Sequence, residues 1–188
     1  MRQISDYDLV YDDPPWRQKK GGLRNVRPNQ GRKLDYPTLS MGEIKEIIAR
    51  YDSDILFLWT IDKFLFAAES VGRDLGYKLH SRIVWDKRNG PAPAFTVRFS
   101  KEYLLWMYRP GGLMADFNRD VSGKFRDVIV EPAAKVHSKK PVAAYEMIEI
   151  FYPNANKIEL FARNLRDGWD AWGNQVPAAE IEASVENS

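Results

Sequence analysis

Asp8-Leu9-Val10-Tyr11-Asp12-Asp13-Pro14-Pro15-Trp16 is the stretch from which the architecture can be read. Apolar residues between acids read as a short buried strand. It stops at Pro14, because proline has no N–H to offer a sheet ladder. Outward from it, apolar runs alternate with amphipathic ones. Ser40, with Glu43 three residues on, predicts a capping box that opens a helix to about Tyr51, burying Ile44, Ile47 and Ile48. Ile55 to Trp59 reads as a strand. Asp62 is expected to cap a second helix, buried through Phe66, Val71 and Leu75 and ended by Gly76. Lys78–Asp86, Tyr103–Tyr108, Asp127–Val130 and Lys157–Phe161 read as further strands, and Pro141–Tyr152 as a helix with proline in its first turn. Lys87–Thr96 and Asp116–Lys124 read as loops. Strands alternating with helices predict an α/β, three-layer domain with a mainly parallel sheet. Ligands of such sheets sit at the carboxyl ends of the strands. That rule points to residues just after Tyr11, Trp59, Val130 and Phe161.

The chain has 188 residues, 44% of them hydrophobic and 29% charged, which suits one domain with a real core and argues against bulk disorder. No stretch reaches the roughly 20 uncharged apolar residues of a membrane span, and Met1 to Leu9 lacks the apolar run of a secretory signal. A cytoplasmic protein is expected. There is no cysteine, which removes disulfides, thiolate metal sites and cysteine nucleophiles. His80 and His137 are the only histidines, which excludes a multi-histidine metal centre; both are read as structural. The net charge of +2 hides a polarity: Arg17, Lys19, Lys20, Arg24, Arg27, Arg32 and Lys33 stand together with no acid among them. Residues 178–188 carry Glu180, Glu182 and Glu186 and no base. A local anionic partner is expected.

The proline corner has two readings. It is either a strand ending in a rigid turn with a packed tryptophan, or a grip on an aromatic amine. The lone pair of such an amine is delocalised into the ring, so acceptors aimed at its N–H groups can pull the nitrogen toward tetrahedral geometry. The Asp13 carboxylate and the Pro14 carbonyl, stiffened by Pro15, supply two acceptors. Trp16 offers a flat face on which a base could stack, worth about 1–3 kcal/mol. Lys140 precedes a helix start. A cation there opposes the helix dipole by about 0.3–1 kcal/mol, which an anionic ligand would explain. Ser138 is a candidate helix cap. Glu159 stands in an otherwise apolar strand and should have a partner.

Asp13-Pro14-Pro15-Trp16 after an apolar strand resembles the catalytic motif of the MT-A70 family of adenine-N6 methyltransferases. Tyr36-Pro37-Thr38-Leu39-Ser40, Leu56-Phe57-Leu58-Trp59, Ser138-Lys139-Lys140-Pro141, Lys157 to Arg163 and Trp172-Gly173-Asn174-Gln175 resemble further family elements in the family's order. The resemblance covers Tyr7 to Val176. It implies a Rossmann-like, circularly permuted class I methyltransferase fold, with the catalytic motif first and the cofactor strand last. It also implies S-adenosylmethionine as cofactor and no metal. Asp13, Pro14, Pro15 and Trp16 are then catalytic. Ser138, Lys140, Glu159, Phe161, Arg163, Asn174 and Gln175 are the expected cofactor contacts, with Lys140 on the methionine carboxylate. Tyr36, Lys19, Lys20, Arg24, Arg27, Arg32 and Glu102 are expected on the substrate side, Lys101-Glu102 resembling a pair near the family's active site.

Residues 1–177 are thus read as one catalytic domain, with 17–35 a basic substrate loop that meets phosphates around an unstacked adenine. Residues 178–188 are read as a flexible acidic tail. The partner expected is nucleic acid, DNA before RNA, for a monomer or homodimer with no membrane contact. The alternatives are an RNA methyltransferase and a non-catalytic nucleic-acid-binding subunit of a methyltransferase complex.

Overall fold

The computed structural model describes residues 7–17, 38–88, 97, 99–133 and 139–173. Seven strands form one sheet: β1 (Leu9–Asp12), β2 (Ile55–Thr60), β3 (Lys78–Asp86), β4 (Lys101–Tyr108), β5 (Val128–Val130), β6 (Lys157–Leu160) and β7 (Asp170–Trp172). Their order is β5-β3-β4-β2-β1-β6-β7. β1 pairs in parallel with β2 and β6, and β7 continues beyond β6. β4 is antiparallel to both β2 and β3, so it alone runs against the rest. The domain is a mainly parallel α/β sheet, as its alternating pattern predicts.

Helices α1 (Met41–Ile48) and α2 (Leu65–Asp74) cover one face, and α3 (Val142–Phe151) covers the other. The period-two alternation of the strands explains the split. Leu9, Tyr11, Phe57 and Trp59 point to α3, packing on Ala144, Met147, Ile148 and Phe151. Val10, Leu56 and Leu58 point to α1 and α2, packing on Ile44, Ile48, Ala68 and Val71. β1 sits in the middle and is wholly buried, as expected for a strand covered on both faces.

The predicted capping box at α1 is present. The Ser40 backbone N–H donates to Glu43 Oε2 at 2.7 Å and the Glu43 N–H donates to Ser40 Oγ at 3.3 Å. Several expectations need correction. Asp62 opens a 3-10 turn, Asp62–Phe64, and does not cap α2. Its carboxylate instead accepts from Tyr103 Oη at 2.8 Å and pairs with Lys101 Nζ at 3.7 Å. Phe66 is not a core residue: it is 79% exposed, because it falls on the outer face of α2 while Ala68 and Val71 face the sheet. The stretch 116–124 is not all polar loop, since Phe117 and Val121 pack on the α3-side core. β7 had no sequence signal, being three residues long and only partly buried. The basic segment beyond Arg17, most of the 87–96 loop and the acidic tail fall outside the described residues.

Candidate active site

The carboxyl ends of β1, β2, β3, β5, β6 and β7 share one edge, and β4 begins there because it is reversed. β1 ends at Asp12, so Asp13 stands at the centre of that edge. The following turn is held at three points. The Trp16 N–H donates to the Pro14 carbonyl at 2.8 Å, and the Leu39 N–H donates to the Pro15 carbonyl at 2.9 Å. Trp16 Nε1 donates to the Trp59 carbonyl at 3.0 Å. The Pro14 carbonyl keeps a second lone pair for another donor. Trp16 itself is not an open stacking platform, contrary to expectation. Its ring is only 6% exposed and stacks on Phe64 at 5.6 Å, on the α1–α2 side of the sheet. Its role is to anchor the turn to the end of β2.

Asp13 does not stand alone. Lys140 Nζ lies 2.8 Å from Asp13 Oδ1 and 2.8 Å from Glu102 Oε2. Glu102 Oε1 in turn holds Lys87 Nζ at 3.2 Å. The Lys140 ammonium lies over the Trp59 ring, 5.1 Å from its centroid. Burial alone would lower its proton affinity, but Asp13 and Glu102 outweigh burial and hold it above the ordinary lysine range. Burial raises the Asp13 carboxyl, with Lys140 opposing that rise, whereas two lysines overcome burial at Glu102 and hold it below its ordinary value. The anionic partners that Lys140 calls for are therefore the protein's own carboxylates. The reversed β4 is what brings Glu102 to this edge.

The start of α3 is filled in the same way. Glu131 follows β5, and its two carboxylate oxygens accept from Val142 N at 3.0 Å and Ala143 N at 3.1 Å. Its carbonyl accepts from Trp85 Nε1 at 2.7 Å. An acid on the first-turn N–H groups suits the helix dipole and fixes the helix whose approach carries Lys140. The cap position is Pro141; Ser138 lies outside the described residues.

At the end of β6, Tyr145 Oη donates to Glu159 Oε1 at 2.9 Å. Burial pushes the Glu159 carboxyl up to about 7, with Asp13 adding to the rise. Phe161 then adopts φ +59°, a left-handed conformation uncommon for a residue with a side chain. Gly173, just past β7, approaches so closely that a Cβ there would lie 2.7 Å from the Ala162 carbonyl oxygen. Only glycine allows this closure. Arg163 follows, close enough for its guanidinium to weaken the hold of Asp13 on a proton.

The structure thus brings Asp13, Lys140 and Glu102 into direct contact, with Pro14 and Pro15 in the turn and Glu159, Phe161 and Arg163 at the neighbouring strand end. Tyr36, Lys19, Lys20, Arg24, Arg27, Arg32, Asn174 and Gln175 lie outside the described residues. Sequence reasoning missed Lys87, Glu131 and Tyr145. Glu131 was within reach, as the residue immediately after Val130 at a carboxyl strand end. Tyr145 carried no signal. Among the described residues no group of three or more histidines or carboxylates could hold a metal ion, and no helix is long and apolar enough to cross a membrane.

Comparison with known proteins gives this arrangement a family. The model of MT-A70 matches residues 7–175. The Type II methyltransferase M.MunI of Mycoplasma sp is 29% identical over 196 residues, covering 94% of this chain and 80% of that protein. The N(6)-adenosine-methyltransferase MT-A70-like protein of Arabidopsis thaliana is 28% identical, covering 96% of this chain and 25% of its own length. The N(6)-adenosine-methyltransferase catalytic subunit METTL3 of Homo sapiens is 29% identical, covering 95% of this chain and 30% of its own. The chain therefore spans most of the Mycoplasma protein but under a third of the plant and human ones. With the match running through β1 to β7 and through both partners of the Asp13–Lys140 pair, this chain belongs to the MT-A70 family.

Proposed function

We propose that this protein transfers a methyl group from S-adenosylmethionine to N6 of adenine in nucleic acid, with DNA the favoured substrate. One observation carries the reading: the Asp13 carboxylate of the proline corner lies 2.8 Å from Lys140, a residue from the far end of the chain, at the edge where such sheets bind ligands. A relative matched over 80% of its own length is a Type II methyltransferase, which supports DNA over RNA. We infer a cytoplasmic monomer or homodimer.

The residues at the site fit S-adenosylmethionine. Glu159 offers a carboxyl group for hydroxyl groups, Arg163 offers a guanidinium, and the left-handed Phe161 stands at the cofactor-side strand end. Asn174, Gln175 and Ser138 complete the set by resemblance. Lys140 already holds two carboxylates at 2.8 Å, which leaves one of its three N–H donors for a further anion. We therefore assign Lys140 first to Asp13 and Glu102, with its third donor directed at the methionine carboxylate.

S-adenosylmethionine, when bound, supplies a methyl group made electrophilic by its positive sulfur. The protein's part is alignment and charge placement. The ion pair occupies Asp13 Oδ1, which leaves Oδ2 to accept one N–H of the adenine amine. The spare lone pair of the Pro14 carbonyl accepts the other. These two acceptors favour a pyramidal nitrogen. Once the nitrogen has been alkylated it is acidic, and Asp13 Oδ2, whose proton affinity is raised by burial, receives the proton. Glu102 keeps Lys140 in place through this step.

The test is incubation with tritiated S-adenosylmethionine and parallel DNA and RNA pools, followed by nucleoside analysis. Label in N6-methyladenine from DNA is expected. Label only from RNA would change the substrate, and cofactor binding without transfer to either pool would remove the proposed activity.

A further inference from the structure

The three most exposed large apolar side chains among the described residues are Phe66 at 79%, Val97 at 67% and Phe99 at 67%. They are not scattered. Phe66 lies in the first turn of α2, just after the carboxyl end of β2, and Phe99 lies two residues before the start of β4. Both positions are on the edge that carries Asp13. Contacts between their chain neighbours tie the two positions together. Phe64 stacks on Trp16 of the catalytic turn at 5.6 Å. Asp62, one helical turn before Phe66, accepts from Tyr103 Oη and pairs with Lys101. Next to Lys101 is Glu102, which grips Lys140. The Lys87 N–H donates to the Ser100 carbonyl at 2.9 Å, tying the residue after Phe99 to the same ion chain.

Cations are laced through this patch. Lys63 lies over the Phe64 ring, 5.3 Å from its centroid, and forms no ion pair among the described residues. Lys101 keeps 46% of its side chain exposed despite its contact with Asp62. Exposed aromatic faces alternating with ammonium groups match a strand in which bases alternate with phosphates. A target base that leaves its stack also leaves its neighbours with uncovered faces.

We propose that this α2–β4 rim binds the unpaired stretch of nucleic acid beside the target adenine, with Phe66 and Phe99 stacking on neighbouring bases and Lys63 meeting a phosphate. The proposal rests on the adenine-methylation reading above and adds to it a path for the substrate beside the catalytic turn. The complementary charge favours a polyanion over a protein partner. Stacking of this kind tolerates any base, so the rim contributes affinity without reading sequence.

The experiment uses the full chain and a single-stranded DNA oligonucleotide with one adenine, and the matching RNA where the wild type prefers it. Phe66→Ala and Phe66→Tyr are compared with wild type, with S-adenosylmethionine affinity by calorimetry as the check on folding. Phe66→Ala is expected to raise KM for the oligonucleotide about tenfold while kcat and cofactor affinity stay within about twofold, and Phe66→Tyr is expected to restore KM. Lys63→Gln should lower the slope of log KM against log salt by about 0.7, one phosphate contact on a single strand. Unchanged KM in Phe66→Ala, or unchanged slope in Lys63→Gln, would overturn the proposal. Loss of a dimer in light scattering with unchanged KM would reassign the patch to contact between copies of this chain. A wild type that methylates no nucleic acid would instead fail the underlying reading, an outcome separable from failure of the rim.

Discussion

Asp12 and Asp13 are neighbours with opposite surroundings. Asp13 projects on the α3 side of the sheet edge, where Lys140 meets it at 2.8 Å and part of its side chain reaches solvent. Asp12 falls on the other face of the same strand. It is completely buried, and neither of its oxygens has a hydrogen-bond partner among the described residues. Burial, then the nearby Asp13 and Glu159, raise its carboxyl well above the ordinary value. The protein thus gives one acid a cation that opposes its rise and gives the other none. Two adjacent acids differ in chemistry because a strand alternates its faces.

The difference can be broken from the Asp13 side first. Asp13→Asn removes the charge and one of the two acceptors for the amine. Methyl transfer should fall by at least about 10²–10³-fold, while thermal unfolding stays close to wild type, since Glu102 still holds Lys140. Retained turnover in a radiolabel assay would show that Asp13 is not the catalytic carboxylate.

Lys140→Met should push Asp13 toward the condition of Asp12. It leaves Asp13 and Glu102 facing each other without their shared cation. A stability loss of about 2–3 kcal/mol is expected in urea unfolding, below the fully buried case because both acids are partly exposed. With the cation gone the Asp13 carboxyl should rise further, so the acidic limb of kcat/KM against pH should move to higher pH. An unmoved limb would separate Asp13 from Lys140.

Asp12→Asn tests the other member. Folding raises the Asp12 carboxyl above its ordinary 3.8, so the folded state binds the proton more tightly than the unfolded one. This contribution is fully present below pH about 4 and is lost as pH climbs toward the raised folded value. Asp12→Asn should remove that decline and raise stability at pH 7 by about 1–3 kcal/mol, with methyl transfer preserved. Parallel pH–stability curves for wild type and Asp12→Asn would show that Asp12 does not titrate on folding. Smallest of all, Ser40→Ala, which removes the cap of α1, should cost about 1 kcal/mol of stability and leave kcat untouched.

The helix starts show how far the sequence could be read. α1 is capped by Ser40 and Glu43, three residues apart, and such a pair is visible in the chain itself. α3 is capped by Glu131, eleven positions before Val142 and on another element, and no local pattern announces it. The same division holds for the site. Asp13 and Lys140 could be picked out by their motifs, but the Glu102 grip on Lys140 depends on β4 running backwards, which hydrophobic alternation does not encode. Phe66 was misplaced because an apolar residue at helical spacing defaults to the core; its exposure depends on how α2 is rotated. β7 was invisible because three half-exposed residues carry no period.

The Glu131 clamp has one further bearing, on where this chain could be opened. It binds the end of β5 to the start of α3 without using the backbone between them, and the Ala133 N–H adds a bond to the Lys87 carbonyl at 2.9 Å. New termini introduced between Ala133 and Lys139 would leave both flanks anchored and Lys140 on the anchored side. A permuted or split version opened there would show how much the Ser138 segment contributes, because the fastening between the two pieces is already made outside it.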